Sequence, residues 1–231
     1  MAHISYPAYA DLYAMLNGLR LSLNLEVMGL DWVMAAAVAE WERVTRWTPF
    51  LAVAGTRVFD PPGPEKSRGS NSYVGWGYVR NGGGTLLTLG CGLVSVSALA
   101  VDINEYAPAG TALTQNADFW LEPTTAQNDG KPFTLVRFRS AVYGQPQSIS
   151  ITGSFGYGST VPDDVWTAIL HYAGFLASPS IAMQISSGMV KVQEADESRQ
   201  WDPRVFSAQA DMWQTNFLRV ANSAKYKRIS L

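Results

Sequence analysis

The segment 155–176 constrains the fold most, because the chain changes there from a strand pattern to a helix pattern. Before it, residues 147–152 (Gln-Ser-Ile-Ser-Ile-Thr) alternate polar and apolar side chains, which predicts a half-buried strand. Glycines then break the strand, and Asp163 and Asp164 place acid where it stabilises the first turn of a helix. Apolar side chains recur on one face of that helix at Val165, Ile169, Tyr172 and Leu176. A strand of one module is therefore joined by a short turn to a helix of another.

The chain is poor in charge for its length. Charged residues make up 16% of its 231 residues, against roughly 25% in typical soluble domains. Together with eight Trp and ten Tyr, residue types enriched at interfaces, this favours a protein that hides much of its surface in an assembly. A well-packed monomer is the alternative. The net charge of −2 argues against a basic face that reads DNA sequence.

Targeting signals and disulfides are not expected. Cys91 is the one cysteine, so no internal disulfide can form and a reducing compartment fits. No apolar run approaches the roughly 20 residues of a membrane helix, and the first residues lack a signal-peptide pattern. We therefore expect a cytosolic, soluble protein without a membrane partner.

Residues that carry chemistry are sparse. The two histidines, His3 and His171, do not supply a common His-based metal site, and Cys91 has no neighbouring base. The glycines after residue 152 resemble a phosphate loop only superficially, because the acids Asp163 and Asp164 occupy the helix N-terminus that a phosphate would need. We expect no enzymatic activity, no cofactor and no metal.

Periodicity divides the chain into four segments. Residues 1–48 predict an N-terminal helical hairpin, with helices at 9–19 and from Asn24 to about Trp47. Residues 49–158 predict an inserted β module with a long loop at 61–84. Its strand candidates are 56–59, 85–89, 94–102, 117–122, 133–139 and 147–152. Residues 159–179 predict a third helix that completes the bundle and ends near Pro179, and 180–231 predict a C-terminal arm and helix.

The C-terminal helix carries large aromatic side chains. Asp202 and Pro203 form a helix start, and Trp201 can staple to Phe206. Its apolar face consists of Phe206, Ala210, Trp213, Phe217 and Val220. This helix docks on the chain's own core or serves as an arm for a partner. The expected fold class is α+β: a helical bundle with an inserted small antiparallel β-sandwich or barrel and a C-terminal helix or arm.

Three stretches resemble the head–tail adaptor (connector) proteins of tailed bacteriophages. The first is Ile-Ser-Ile-Thr-Gly-Ser-Phe-Gly-Tyr at 149–157, followed by Val-Pro-Asp-Asp-Val-Trp-Thr-Ala-Ile-Leu at 161–170. In that family, a last strand ending in Thr-Gly and an aromatic-Gly-aromatic turn lead into a helix that opens with Val-Pro. The second is Phe-Trp-Leu-Glu-Pro at 119–123 with Phe-Thr-Leu-Val-Arg-Phe at 133–138. The third is Arg-Val-Thr-Arg-Trp at 43–47, where the family leaves its helical hairpin and usually has Thr-Gly-Arg. The resemblance covers roughly residues 8–179.

The resemblance implies a structural virion protein without catalysis. Such proteins form a ring below the portal, usually with twelvefold symmetry, that extends the DNA channel and joins the head to a stopper or tail-completion protein. The implied partners are the portal protein, the stopper, other copies of the chain, and DNA that passes without sequence-specific binding. The implied location is the virion neck, assembled in the host cytoplasm. The C-terminal helix and arm would contact the portal, with Trp213 and Phe217 as the portal-side anchors and Trp201 and Phe206 as further interaction residues. The β module would contact the next ring or the neighbouring subunit.

Two other functions stay open at this point. The first is a β-sandwich glycan-binding module that uses Tyr73, Trp76 and Tyr78 of the 61–84 loop as a stacking platform. The second lies within the virion and is a stopper or head-completion neck protein.

Overall fold

The computed structural model describes residues 2–18, 30–62, 82–103, 106–186 and 203–226. The chain divides into two compact units, a helical unit (Met1–Thr48 with Thr160–Leu231) and a β unit (Pro49–Ser159). In chain order, the elements are β1 (Ala2–His3), α1 (Tyr9–Asn17), α2 (Asp31–Thr45), β2 (Val53–Phe59), β3 (Gly82–Val101), β4 (Thr111–Leu113), β5 (Phe119–Glu122), β6 (Phe133–Tyr143), β7 (Ile149–Phe155), β8 (Val161–Pro162), α3 (Asp163–Ser186) and α4 (Pro203–Ala221).

The helical unit is built around α3, which packs against α1, α2 and α4. Its core consists of apolar side chains spaced three and four residues apart on each helix, as burial of one helical face requires. The fully or nearly fully buried members include Leu12, Leu16, Val33, Ala37, Trp41, Val165, Ile169, Ala173, Phe206, Trp213 and Phe217. α2 ends where Arg46 takes the left-handed conformation, with φ of 62°, a frequent way to terminate a helix.

α3 continues beyond the predicted end near Pro179 and reaches Ser186. A proline inside a helix removes one backbone hydrogen bond and costs about 3 kcal/mol. Ala177 and Ile181 flank this proline and are both fully buried. Their burial offsets the cost, so the helix persists through Pro179.

The helical unit also contains a two-stranded sheet that the sequence pattern did not predict. β1 pairs antiparallel with β8, with Ala2 opposite Pro162 and His3 opposite Val161. Because β8 immediately precedes α3, this pairing places the N-terminal strand at the start of the central helix.

The β unit consists of one antiparallel sheet of six strands in the described part of the chain, in the order β2-β7-β3-β6-β5, with β4 on β3. β3 pairs with β6 through its first half and with β7 through its second half. Register shifts on either side of Leu93 mark the change of partner, and such bulges bend a strand. β7 alternates buried and half-buried residues, so one face of the sheet carries the core, which includes Leu89, Leu93, Phe119, Val136, Ile149, Ile151 and Phe155.

The predicted helical bundle with an inserted sandwich or barrel is therefore wrong. In its described residues, the chain is a mixed α/β protein with four helices, a six-stranded antiparallel sheet and a two-stranded sheet. The prediction for the β unit failed for a local reason. The glycines at 90 and 92 predicted a turn between two strands, 85–89 and 94–102, but β3 runs through both without ending. One long strand can pair with β6 and β7 in turn, so the strands join in a single sheet.

β4 was not predicted, and the other elements differ from their predictions mainly at the ends. β2 begins three residues before the predicted Thr56, β6 extends to Tyr143, and β7 extends to Phe155. α4 begins at Pro203 as predicted. The predicted cap at Asn24, most of the 61–84 loop and the predicted staple at Trp201 lie outside the described residues.

Candidate functional site

The turn between β7 and β8 is tightly packed against residues 50–52, which lead into β2. Phe155 and Tyr157 are buried, and the Tyr157 ring stacks on the Phe50 ring with 4.6 Å between centroids. The Tyr157 amide donates a hydrogen bond of 2.7 Å to the Phe50 carbonyl. At Gly156, a Cβ would lie 2.6 Å from the Cα of Ala52, so this position admits only glycine. The aromatic-Gly-aromatic sequence thus fixes the exit of the β unit.

The two acids that open α3 have different partners. The Nε2 atom of His3 lies 2.9 Å from the Asp163 carboxylate, and the His3 ring stacks on Trp166 at 4.5 Å. This hydrogen bond from His3 is the main cause that lowers the pKa of the Asp163 carboxyl below its ordinary value. Asp163 therefore holds β1 at the start of α3.

Asp164 holds the segment that follows α4. The Tyr226 hydroxyl donates to both Asp164 oxygens, at 2.6 and 2.8 Å, and the Lys225 ammonium lies 3.6 Å from the same carboxylate. Tyr226 is 1% exposed, and its carbonyl accepts a hydrogen bond of 2.9 Å from the Trp47 indole. The partners of the two acids lie 160 and 62 residues away, so local spacing predicts only a capping role for them.

The predicted interaction residues of α4 lie in the interior of the helical unit. Phe206, Trp213 and Phe217 are all buried. The Phe217 ring stacks on Tyr172 of α3 at 4.3 Å and meets Trp41 of α2 edge-on at 5.9 Å. This placement corresponds to the alternative in which the last helix docks on the chain's own core. A role of these side chains in binding a partner stays a prediction.

The remaining predicted interaction residues, Tyr73, Trp76, Tyr78 and Trp201, lie outside the described residues.

The outer face of α4 carries exposed apolar side chains. Met212 is 57% exposed and Leu218 is 41% exposed, and the exposed Thr215 lies between them at helical spacing. These residues were not among the predicted interaction residues, although their positions opposite the buried face follow from the helical period.

His171 belongs to a hydrogen-bonded chain on the surface of α3 and α4. Arg219 donates to the Asn216 side-chain oxygen at 2.8 Å, which directs the Asn216 amide nitrogen to Nδ1 of His171, also at 2.8 Å. Nδ1 must then accept, so the imidazole is neutral. Burial lowers the pKa of His171 below its ordinary value, in the same direction. The geometry indicates a structural histidine.

Two open clefts in the described part of the β unit share Asp102. One, of about 320 Å³, lies along β4 and β6, and its lining includes Asp118, Arg139 and Tyr143. The other, of about 500 Å³, includes Tyr106, Gln145 and Ser148. Both tyrosines are exposed. These clefts combine aromatic rims with polar side chains. Their residues come from segments that are distant in sequence, so no local pattern predicts them.

No three His, Cys, Asp or Glu side chains converge on a possible metal position within the described ranges. Cys91 is buried in the core of the β unit, as expected for a structural thiol.

Comparison of the chain with protein-family models, with curated proteins and with solved structures finds no match. Of the helices that the structure describes, none has the length and apolar character needed to span a membrane.

Proposed function

We propose that this protein is a head–tail adaptor of a tailed bacteriophage: a structural subunit of a ring below the portal. The single observation that carries the proposal is the strand-to-helix junction at 149–170. Its aromatic-Gly-aromatic turn resembles that of the adaptor family and is also the packed exit of the β unit. The residues that carry the resemblance therefore also pack the turn at the exit of the β unit.

The order of elements around the junction supports the proposal. The chain leaves α2 at Thr45, forms the β unit, and returns through β7, the turn and Val161–Pro162 into α3. This is the order that the resemblance implies for adaptor proteins: a helical hairpin, a last strand, the turn and a helix opening with Val-Pro.

The charge of the chain is compatible with a channel for DNA. Lys and Arg contacts to phosphates supply most non-specific affinity for DNA, and a channel wall rich in them would hold the genome back. The chain carries 17 Lys and Arg against 19 Asp and Glu. A ring of such subunits has a slight negative excess, which favours passage of DNA without binding.

The outer face of α4 is the contact surface that we assign to the portal. Trp213 and Phe217 hold α4 on its own unit, so substituting them would unfold the unit rather than test a contact. Truncating such a buried aromatic residue to Ala costs about 3–5 kcal/mol. Met212 and Leu218 are exposed and can be changed without that cost.

The test uses the full chain and the portal ring encoded in the same genome. Native mass spectrometry should show a multi-subunit ring on the portal for the wild type. The double variant Met212→Asp/Leu218→Asp should lose attachment. Tyr13→Asp, an exposed aromatic position on α1 of the same unit, is the matched control and should attach normally.

Three results would count against the proposal in different ways. A protein that ignores the portal removes the adaptor function. Binding to a preformed adaptor ring, but not to the portal, identifies a stopper instead. Portal binding that survives the double variant keeps the adaptor function but rejects α4 as its contact surface.

A glycan-binding module is the second candidate, because Tyr106 and Tyr143 are exposed beside the two clefts around Asp102. Pockets that combine apolar or aromatic walls with a few polar groups are the usual form of a small-molecule site. A glycan array with the wild type and Tyr143→Ala separates the two functions: binding that needs Tyr143 favours the glycan module, and an empty array removes it.

A further inference from the structure

Strand β2 forms an open edge of the sheet in the β unit. It pairs with β7 over seven consecutive residues without a register shift. Among the strands that the structure describes, none pairs with its other side. An edge of this kind presents a row of backbone N–H and C=O groups that can pair with another strand.

β2 carries few of the features that normally protect an edge strand. It contains no proline and no bulge, and its exposed apolar residues include Val53 and Val58, which are 59% and 52% exposed. Its one charged residue, Arg57, lies over the ring of the core residue Phe155 at 4.7 Å and is the single protective charge on this strand. Natural sheets usually block their edges with such features.

The opposite edge of the sheet is better protected. β5 has only four residues, and the Asn116 amide already donates a hydrogen bond of 2.8 Å to the Phe119 carbonyl. Short edge strands covered by a turn are poor templates for pairing. β2 is therefore the edge that is available to a second strand.

The sequence of β2 is complementary to itself. Thr56 is the central residue of Val53–Phe59, so a two-fold antiparallel pair centred on it matches all seven residues. Val53 then faces Phe59, and Ala54 faces Val58. Gly55 faces Arg57, and Thr56 faces its own copy. Apolar and Thr–Thr cross-strand pairs are favourable, and no like charges lie opposite each other. A register centred on Arg57 would instead oppose two guanidinium groups.

We infer that β2 pairs with β2 of a second copy of this chain, in antiparallel orientation and centred on Thr56. The two sheets then form one continuous sheet across the dimer. Thr56 already lies 2.8 Å from Thr152 of β7, measured between their hydroxyl oxygens, so the dimer extends this row of threonines through the two-fold axis. The inference does not depend on the adaptor function, because a ring needs a separate contact between two different surfaces.

The two-fold axis gives a sharp test, because it places residue 56 opposite itself. In Thr56→Lys and in Thr56→Glu, two like charges face each other, and the dimer should dissociate at least about tenfold more readily. Mixing the two variants in equal amounts should restore a dimer that contains one copy of each. Thr111→Lys, at an exposed position of β4, is the matched control and should dimerise like the wild type. Sedimentation equilibrium and native mass spectrometry over a concentration series give the masses.

A wild type that stays monomeric over the whole series would overturn the inference. So would unchanged dimerisation of Thr56→Lys, or a failure of the mixture to associate. Hydrogen exchange of the wild type supplies a readout that needs no substitution. Amides within 53–59 should exchange more slowly as the protein concentration rises and the dimer becomes populated. An exchange rate there that does not depend on protein concentration would also reject the contact.

Discussion

The contact between Tyr226 and Asp164 should contribute measurably to the stability of the helical unit. Tyr226→Phe removes only the hydroxyl, which donates to the carboxylate at 2.6 and 2.8 Å. The ring keeps its edge-on contact with Trp41 at 5.8 Å. The hydrogen bond from Trp47 also remains, because it goes to the backbone carbonyl. The substitution therefore isolates one hydrogen bond.

The size of the effect follows from the burial of the two partners. A hydrogen bond to a charged group contributes about 1.5–3 kcal/mol. The Asp164 side chain is 49% exposed, so solvent screening reduces this figure, and we expect a loss of about 1 kcal/mol in Tyr226→Phe. Tyr226→Ala also removes a buried ring and should cost about 3 kcal/mol or more.

The assay is urea unfolding followed by tryptophan fluorescence. Trp41, Trp47, Trp166 and Trp213 all belong to the helical unit, so the signal reports mainly on it. A double-mutant cycle with Asp164→Ala, which removes the acceptor, should return a coupling energy of about 1 kcal/mol. Tyr13→Phe, at an exposed tyrosine of the same unit, should change stability by less than about 0.5 kcal/mol. A Tyr226→Phe protein as stable as the control, or a coupling energy near zero, would refute the reasoning.

Three further predictions concern backbone fit and pH. Gly55 and Gly153 face each other in the β2–β7 pair; a Cβ at Gly153 would collide with the Ser95 carbonyl, whereas one at Gly55 meets nothing within 4 Å. In chemical denaturation, Gly153→Ala should therefore lower the free energy of unfolding by about 2 kcal/mol or more, whereas Gly55→Ala should leave it almost unchanged. Equal losses in the two variants would contradict the packing at Gly153. Because burial lowers the pKa of His171 from 6.5, the unfolded chain takes up the proton first and stability should fall as pH drops below 6.5. His171→Gln keeps a hydrogen-bond acceptor but cannot titrate, so its stability should not fall in this way below pH 6.5. Parallel stability–pH curves for the wild type and His171→Gln would reject the neutral imidazole. The lowered pKa of Asp163 predicts a stabilisation that is complete above the ordinary value of 3.8 and lost as pH falls through the folded pKa. Thermal melts of wild type and Asp163→Asn should therefore converge in strong acid, and a constant difference would rule out the contribution of the carboxylate.

Local pattern was sufficient to predict several elements. The strand 147–152 and the helix after it were identified from the change of period, and they correspond to β7 and α3. The apolar face of α4 was also predicted from spacing alone, because a helix of this length buries one stripe. Such features depend on neighbours within a few residues, which a single sequence displays.

The rest depends on partners that are distant in sequence. β1 is two residues long and exists because Val161–Pro162 lies beside it, so no pattern of its own could predict it. Gly90 and Gly92 resemble a turn locally, but pairing with β6 and β7 carries β3 through them. The open edge of β2 is likewise a property of sheet order. Side chains alternate along a strand in the same way inside a sheet and at its edge, so the sequence of β2 does not reveal its position.

The closure of the β unit on itself has a consequence for how the chain folds. Leu51 bridges to Gly158, and the Ala52 amide donates a hydrogen bond of 2.8 Å to the Gly158 carbonyl. Once these contacts form, the 106 residues between positions 51 and 158 no longer act as a flexible loop between α2 and α3. Shortening the effective loop from the 117 residues at 46–162 to the 11 residues at 46–51 and 158–162 lowers the entropic cost of joining α2 to α3 by about 2 kcal/mol. The β unit, whose last strand is synthesised before α3, therefore acts as a folding aid for the helices that flank it in sequence.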